Sequence, residues 1–104
     1  MSGRRSRAKG ATGELEVLHI GQDNGFAVTK RSRMYRAGHD LDWPLLGEDR
    51  HIEIKRHANG QARLYTWLEP VFAVVHRGDR REWLIMLRLS DALEIAKTAE
   101  RRRQ

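Results

Sequence analysis

What most limits the folds open to this chain is the way its apolar residues switch between helical and strand spacing. Ala11, Leu15 and Leu18 recur at helical spacing and predict a first helix to about Gln22. Asp23-Asn24-Gly25 stops it, with Gly25 suited to a left-handed C-terminal position. Phe26 to Lys30 then alternates as a strand does, and a basic loop from Arg31 to Gly38 follows. From Asp40 to Leu45, alternation sets Leu41, Trp43 and Leu45 on one side. Pro44 cannot donate a ladder hydrogen bond, so that strand is expected to be short or at an edge. Leu46-Gly47-Glu48-Asp49 turns the chain into His51-Ile52-Glu53-Ile54-Lys55. Here Ile52 and Ile54 share one face, and His51, Glu53 and Lys55 the other.

Ala58-Asn59-Gly60 makes another loop, and Ala62 to Glu69 predicts a short helix carrying Leu64, Trp67 and Leu68. Val71 to His76 is nearly all apolar, as a central strand covered on both faces would be. Gly78-Asp79 turns the chain into a strand from Trp83 to Leu89, and Ser90 is placed to cap a last helix through Ala92, Leu93, Ile95 and Ala96. The expected order is helix, three strands, short helix, two strands, helix, an α/β fold. At 104 residues it suits one domain, over 11–100, between a loose basic arm at 1–10 and a basic tail at 101–104.

Composition excludes several classes. With 39% apolar and 33% charged residues the chain is globular rather than disordered. No run approaches the roughly 18–20 apolar residues of a membrane span, and no apolar signal core opens the sequence. A cytoplasmic protein without a membrane partner is expected. Zero cysteines removes disulfides, thiolate catalysis and cysteine-bound zinc. Twenty Lys and Arg against fourteen Asp and Glu give +6, which favours a polyanionic partner, nucleic acid above all. The excess collects at Arg4, Arg5, Arg7 and Lys9, at Lys30, Arg31, Arg33 and Arg36, and at Arg101 to Arg103.

The residues suited to chemistry centre on Glu53-Ile54-Lys55. Two apart on a strand, this carboxylate and this ammonium project side by side. Taken alone, the triplet reads equally as an ion pair on a solvated sheet face. Asp40, however, lies thirteen residues earlier across turn-forming residues, so a hairpin can bring it beside Glu53. Two carboxylates held close make a hard-oxygen site for Mg²⁺, and leaving both charged without a cation is costly. Such a metal polarises a phosphodiester and activates an attacking water, while a nearby lysine orients that water or stabilises charge on phosphorus.

Residues 9–55 resemble the PD-(D/E)XK nucleases, and among them the archaeal-type Holliday junction resolvases and their phage relatives. Lys9-Gly10-Ala11-Thr12-Gly13-Glu14 resembles that family's Lys-Gly-x-x-x-Glu at the start of helix one. Gly25-Phe26-Ala27-Val28 resembles the entry to its first strand, and Asp40, Gly47 and Ile52-Glu53-Ile54-Lys55 its Asp, turn and Ile-Glu-hydrophobic-Lys run. Val74-Val75-His76-Arg77 and Trp83-Leu84-Ile85 look like the late strands of small phage members, carrying the match across roughly residues 8–96.

The resemblance implies a restriction-endonuclease-like core with a central mixed five-stranded sheet flanked by helices. It implies a Mg²⁺-dependent endodeoxyribonuclease, with Mn²⁺ able to substitute, acting on four-way junctions in recombination and repair as a homodimer. The setting would be a bacterial, archaeal or phage-infected cell. Asp40 and Glu53 would bind the metal with the Ile54 carbonyl, Lys55 would be the catalytic lysine, and Glu14 would reach the site from helix one. Arg5, Arg7, Lys9, Lys30, Arg31, Ser32, Arg33, Arg36 and Arg56 would meet DNA, Ser32 near the scissile region. Two features depart from the pattern. The usual Pro-Asp is His39-Asp40, and Asp42 stands two residues on as an alternative ligand. The glutamine common in a longer helix after strand three has no clear equivalent, since Glu69 runs into Pro70. His39, His51 and His57 surround the proposed site with no role required by the resemblance. Other readings are a repair or restriction-type nuclease on the same scaffold, or a basic DNA-binding domain without chemistry.

Overall fold

The computed structural model describes residues 2–31, 40–58 and 61–104, and for residues 2–11 the backbone alone. Helix α1 (Ser2–Asp23) leads into strands β1 (Thr29–Lys30), β2 (Leu41–Leu45) and β3 (Glu48–Ile52). Helix α2 (Ala62–Leu68), strands β4 (Ala73–His76) and β5 (Leu84–Leu87) and helix α3 (Leu89–Arg103) complete the chain. This is the mixed α/β order expected from the apolar spacing. The chain divides between Arg56 and His57 into two compact units.

In the first unit α1 begins at Ser2 rather than near Ala11. The expected loose arm is helical because Arg4, Arg5, Arg7, Ala8 and Lys9 are good helix formers with no proline among them. The helix ends as Gly25 foretold. Gly25 takes φ +90°, its N–H donates to Gln22 O at 3.0 Å, and the Phe26 N–H reaches back to Gly21 O at 3.0 Å. These are the paired bonds of a Schellman motif, which satisfies carbonyls the helix leaves open. Gln22 Nε2 also donates to Val28 O at 3.1 Å, tying the helix end to the segment entering β1.

The strands of this unit form an antiparallel sheet in the order β1-β2-β3. Pro44 lies in the middle strand rather than an edge strand. The pairing of β1 with β2 covers only Thr29 with Asp42 and Lys30 with Leu41, so β2 has no partner on that side at Pro44. Between β2 and β3 the turn is tighter than the expected four residues. Leu45 pairs with Glu48, and Leu46 and Gly47 alone turn the chain with φ of 55° and 81°. Positive φ at both positions is the type I′ geometry that matches strand twist. Phe26, Val28, Leu41 and Trp43 form the core under α1, with the Phe26 and Trp43 rings 5.5 Å apart.

In the second unit β4 and β5 pair antiparallel as a separate two-stranded sheet. One mixed five-stranded sheet was expected, with Val71–His76 covered on both faces. Instead the strand begins at Ala73, and Val75, Leu84 and Ile85 are each more than half exposed. The β2–β3 ladder stops at Ile52, and residues 53–58 run on without a strand partner. Leu68 and Leu93 are the buried apolar residues here. Arg88 caps the end of α2, donating to Leu68 O, Glu69 O and Val71 O at 3.0–3.3 Å. Ser90 does not cap α3: the helix starts at Leu89 behind an extended Arg88, with Asp91 in its first turn. Arg101 to Arg103 belong to its last turn, where positive charge complements the helix dipole. Among the described residues no helix is long and apolar enough to cross a membrane.

Candidate functional site

The site is assembled by the register of the β2–β3 hairpin. A four-residue turn over 46–49 would pair Leu45 with Arg50 and set Asp42 against Glu53. The observed two-residue turn pairs Leu41 with Ile52 and Asp42 with His51 instead. Continued one residue, that register sets Asp40 against Glu53. Two hydrogen bonds bracket Glu53 accordingly. The Asp40 N–H donates to Ile52 O at 2.9 Å, and the Ile54 N–H donates to Asp40 Oδ2 at 2.6 Å. The second is a charge-assisted bond in which a carboxylate takes over as acceptor where the ladder ends.

Asp42 is engaged elsewhere. Its Oδ1 lies 2.9 Å from His51 Nδ1, a cross-strand pair on the sheet face away from α1. Of the two candidate aspartates, Asp40 is therefore the one joined to the Glu53–Lys55 segment.

Helix α1 brings the next carboxylate. A Cβ built at Gly13 would stand 3.6 Å from Ile54 Cγ2 and 3.6 Å from Arg56 Cδ, so the helix lies close against this segment. Glu14, the next residue, has its carboxyl close enough to Asp40 to feel its charge and forms an ion pair with Lys30. Lys30 Nζ is 3.7 Å from Glu14 Oε2. Burial holds the Glu14 carboxyl above its ordinary value. The charge of Asp40 adds to this, and Lys30 opposes it. Two neighbouring acids, one of them partly withdrawn from water, favour a cation beside them.

Glu53 and Lys55 lie just past the end of β3 rather than within it. They form an ion pair at 3.2 Å, with side chains 51% and 70% exposed, so solvent reaches both. Among the described residues no group of three or more His, Cys, Asp or Glu side chains converges as a metal-holding set. With Glu53 on Lys55 and Asp42 on His51, the close carboxylates are Glu14 and Asp40. That donor set still fits Mg²⁺, which keeps several waters and commonly takes only one or two protein carboxylates beside substrate phosphate.

The remaining expected residues divide as follows. Lys30, expected among the DNA-contacting cations, forms an ion pair with Glu14. Nothing in its local sequence marked this, because β1 reaches Asp40 only through strand pairing. Arg31 is half-buried, and its backbone N–H donates to Asp40 O at 3.1 Å. Arg56 is exposed, with the base of its side chain near Gly13. Ser32, Arg33, Arg36 and His39 lie outside the described residues, as do the side chains of Arg5, Arg7 and Lys9. Comparison with protein-family models, curated proteins and solved structures found no match to this chain.

Proposed function

We propose that this chain is a metal-dependent, structure-selective DNA endonuclease of the PD-(D/E)XK type that cuts four-way junctions. The observation that carries this reading is the meeting of Glu14 and Asp40 at the end of the β2–β3 ladder, with Asp40 bonded to the backbone beside Glu53. A protein that only bound DNA would gain nothing from acids gathered where phosphate must approach. The element order and the resemblance of residues 9–55 point the same way.

Asp40 and Glu14 would hold Mg²⁺ or Mn²⁺, with Glu53, on leaving its ion pair with Lys55, and the Ile54 carbonyl completing the set. The bound ion supplies Lewis-acid polarisation of the phosphate and a more acidic water. The chain's own residues do the rest. The Ile54 N–H fixes the Asp40 carboxylate, so this ligand is held in place before substrate arrives. Lys55, solvent-exposed on the same segment, orients the attacking water or meets charge on the phosphate oxygens. The basic residues Arg5, Arg7, Lys9, Arg31, Arg33, Arg36 and Arg56, together with Ser32, would contribute the phosphate contacts. A second copy of the chain is the partner, because two symmetric cuts across a junction need two equivalent sites. Phe72, Trp83 and Ile85, each more than half exposed, support an apolar contact of that kind.

The test is cleavage and binding in parallel. Glu53→Gln and Lys55→Ala should each abolish junction cleavage, while a gel shift without metal still shows junction binding. Cutting at the unaltered rate by either variant would remove these residues from the site.

A further inference from the structure

We infer that Lys30 is a built-in counter-cation of the carboxylate pair, holding Glu14 beside Asp40 while the site lacks a divalent ion and competing with that ion for the position. The inference deepens the proposed metal site and rests on that reading.

Three elements converge to make the arrangement. Lys30 sits on β1 directly opposite Leu41, one residue from Asp40 along β2. The Arg31 N–H to Asp40 O bond at 3.1 Å fixes the two segments at this point. Across from them, α1 contributes Glu14, whose Oε2 lies 3.7 Å from Lys30 Nζ and whose carboxyl also feels the charge of Asp40. The ammonium thus faces Glu14, one of the two carboxylates that a divalent ion would need. Among the described residues, Lys30 is the ion-pair partner of Glu14. The Lys30 side chain is 42% exposed, whereas Glu14 is 22% exposed. The cation can therefore swing into solvent more easily than the carboxylate can, and a divalent ion can displace it without moving the backbone. A surface pair of this sort is weak by itself, so displacement is readily reversible.

The role differs from that of a DNA contact. A phosphate-binding lysine changes DNA affinity and its salt dependence, and leaves metal affinity in free protein alone. A competing counter-cation changes metal affinity with no DNA present.

Mn²⁺ binding to the DNA-free chain is measured by calorimetry for the wild type, Lys30→Met, Lys30→Gln and Lys30→Arg. Circular dichroism checks that each is folded, and the two neutral variants guard against one of them failing to fold. Lys30→Met and Lys30→Gln should bind Mn²⁺ about three- to tenfold more tightly, the scale expected on removing one partly solvated charge beside a divalent ion. Lys30→Arg should stay near the wild type. Mn²⁺ affinity that is unchanged or weaker in the folded neutral variants overturns the role of Lys30 and leaves the metal site standing. Absence of Mn²⁺ binding in the wild type and every variant overturns both.

Discussion

Gly21 is where the docking of α1 on the sheet can be tested with a single methyl group. A Cβ at this position would stand 2.5 Å from Val28 Cγ2 and 3.0 Å from Trp43 Cη2. The first distance is far inside van der Waals contact, and both neighbours are buried, Val28 at 1% and Trp43 at 7% exposure. Val28 has little room to move, because Gln22 Nε2 holds its carbonyl at 3.1 Å. Gly21→Ala therefore sets two opposed effects against each other. Alanine in a helix gains about 1 kcal/mol over glycine. Forcing an extra methyl into a packed core costs about 1–3 kcal/mol, and contact this close belongs at the upper end. The net expectation is a loss of about 1–2 kcal/mol. With a urea slope of about 1–2 kcal/mol per molar, the midpoint should fall by roughly 1 M. Shortening Val28 in the same chain should recover part of that loss, since the added methyl then enters the space vacated; the double-variant cycle would show the coupling. Glu14 stands seven residues, two helical turns, before Gly21 and so on the same helix face. Lifting the helix at Gly21 should consequently also reduce junction cleavage at urea-free conditions where the variant is fully folded. A midpoint unchanged or raised in Gly21→Ala would refute the close approach and the helix placement built on it.

Two further expectations concern the carboxylates. Asp40→Asn should abolish cleavage, while Asp42→Asn, which disturbs the pair with His51, should leave most of it; steady-state cleavage of one junction by both variants decides, and the reverse ranking would mean a different hairpin register. Glu14 gives a pH dependence of stability. Its folded value lies above the ordinary 4.5, so between the two values the folded chain holds a proton that the unfolded chain has released. Its contribution is complete below 4.5 and is lost as the pH rises through the folded value. Glu14→Gln, which cannot titrate, should flatten that part of the decline in urea midpoint, and Mg²⁺ should flatten it in the wild type. Identical pH profiles for the wild type and the variant would contradict the burial of Glu14 beside Asp40.

Much of the first unit was legible in the sequence because its signals are local. Asp23-Asn24-Gly25 announced the end of α1, and the Schellman bonds at Gln22 and Gly21 realise it. The alternation of Leu41 and Trp43 announced the buried face of β2. Less legible was anything set by partners distant in sequence. The composition of Leu46 to Asp49 gave a turn but not its length, and that length decides whether Asp40 or Asp42 faces Glu53. Alternation carried the strand from His51 on to Lys55, yet the ladder stops at Ile52 once the Asp40 carboxylate takes the Ile54 N–H. Lys30 gave no sign of joining Glu14, since that contact needs α1, β1 and β2 together. In the second unit the apolar run Val71–His76 looked like a strand covered on both faces. Its pairing with β5 alone leaves Val75 exposed, a property of sheet order that no run of residues encodes by itself.

The central claim is most directly tested by incubating the purified chain with a synthetic four-way junction and with linear duplex of the same sequence, each with Mg²⁺ and with a chelator. Paired nicks in the junction that require Mg²⁺, with the duplex left intact, are the predicted result. A junction left uncut in Mg²⁺ and Mn²⁺ alike, by protein that still binds it, would contradict the proposal that these acids serve hydrolysis.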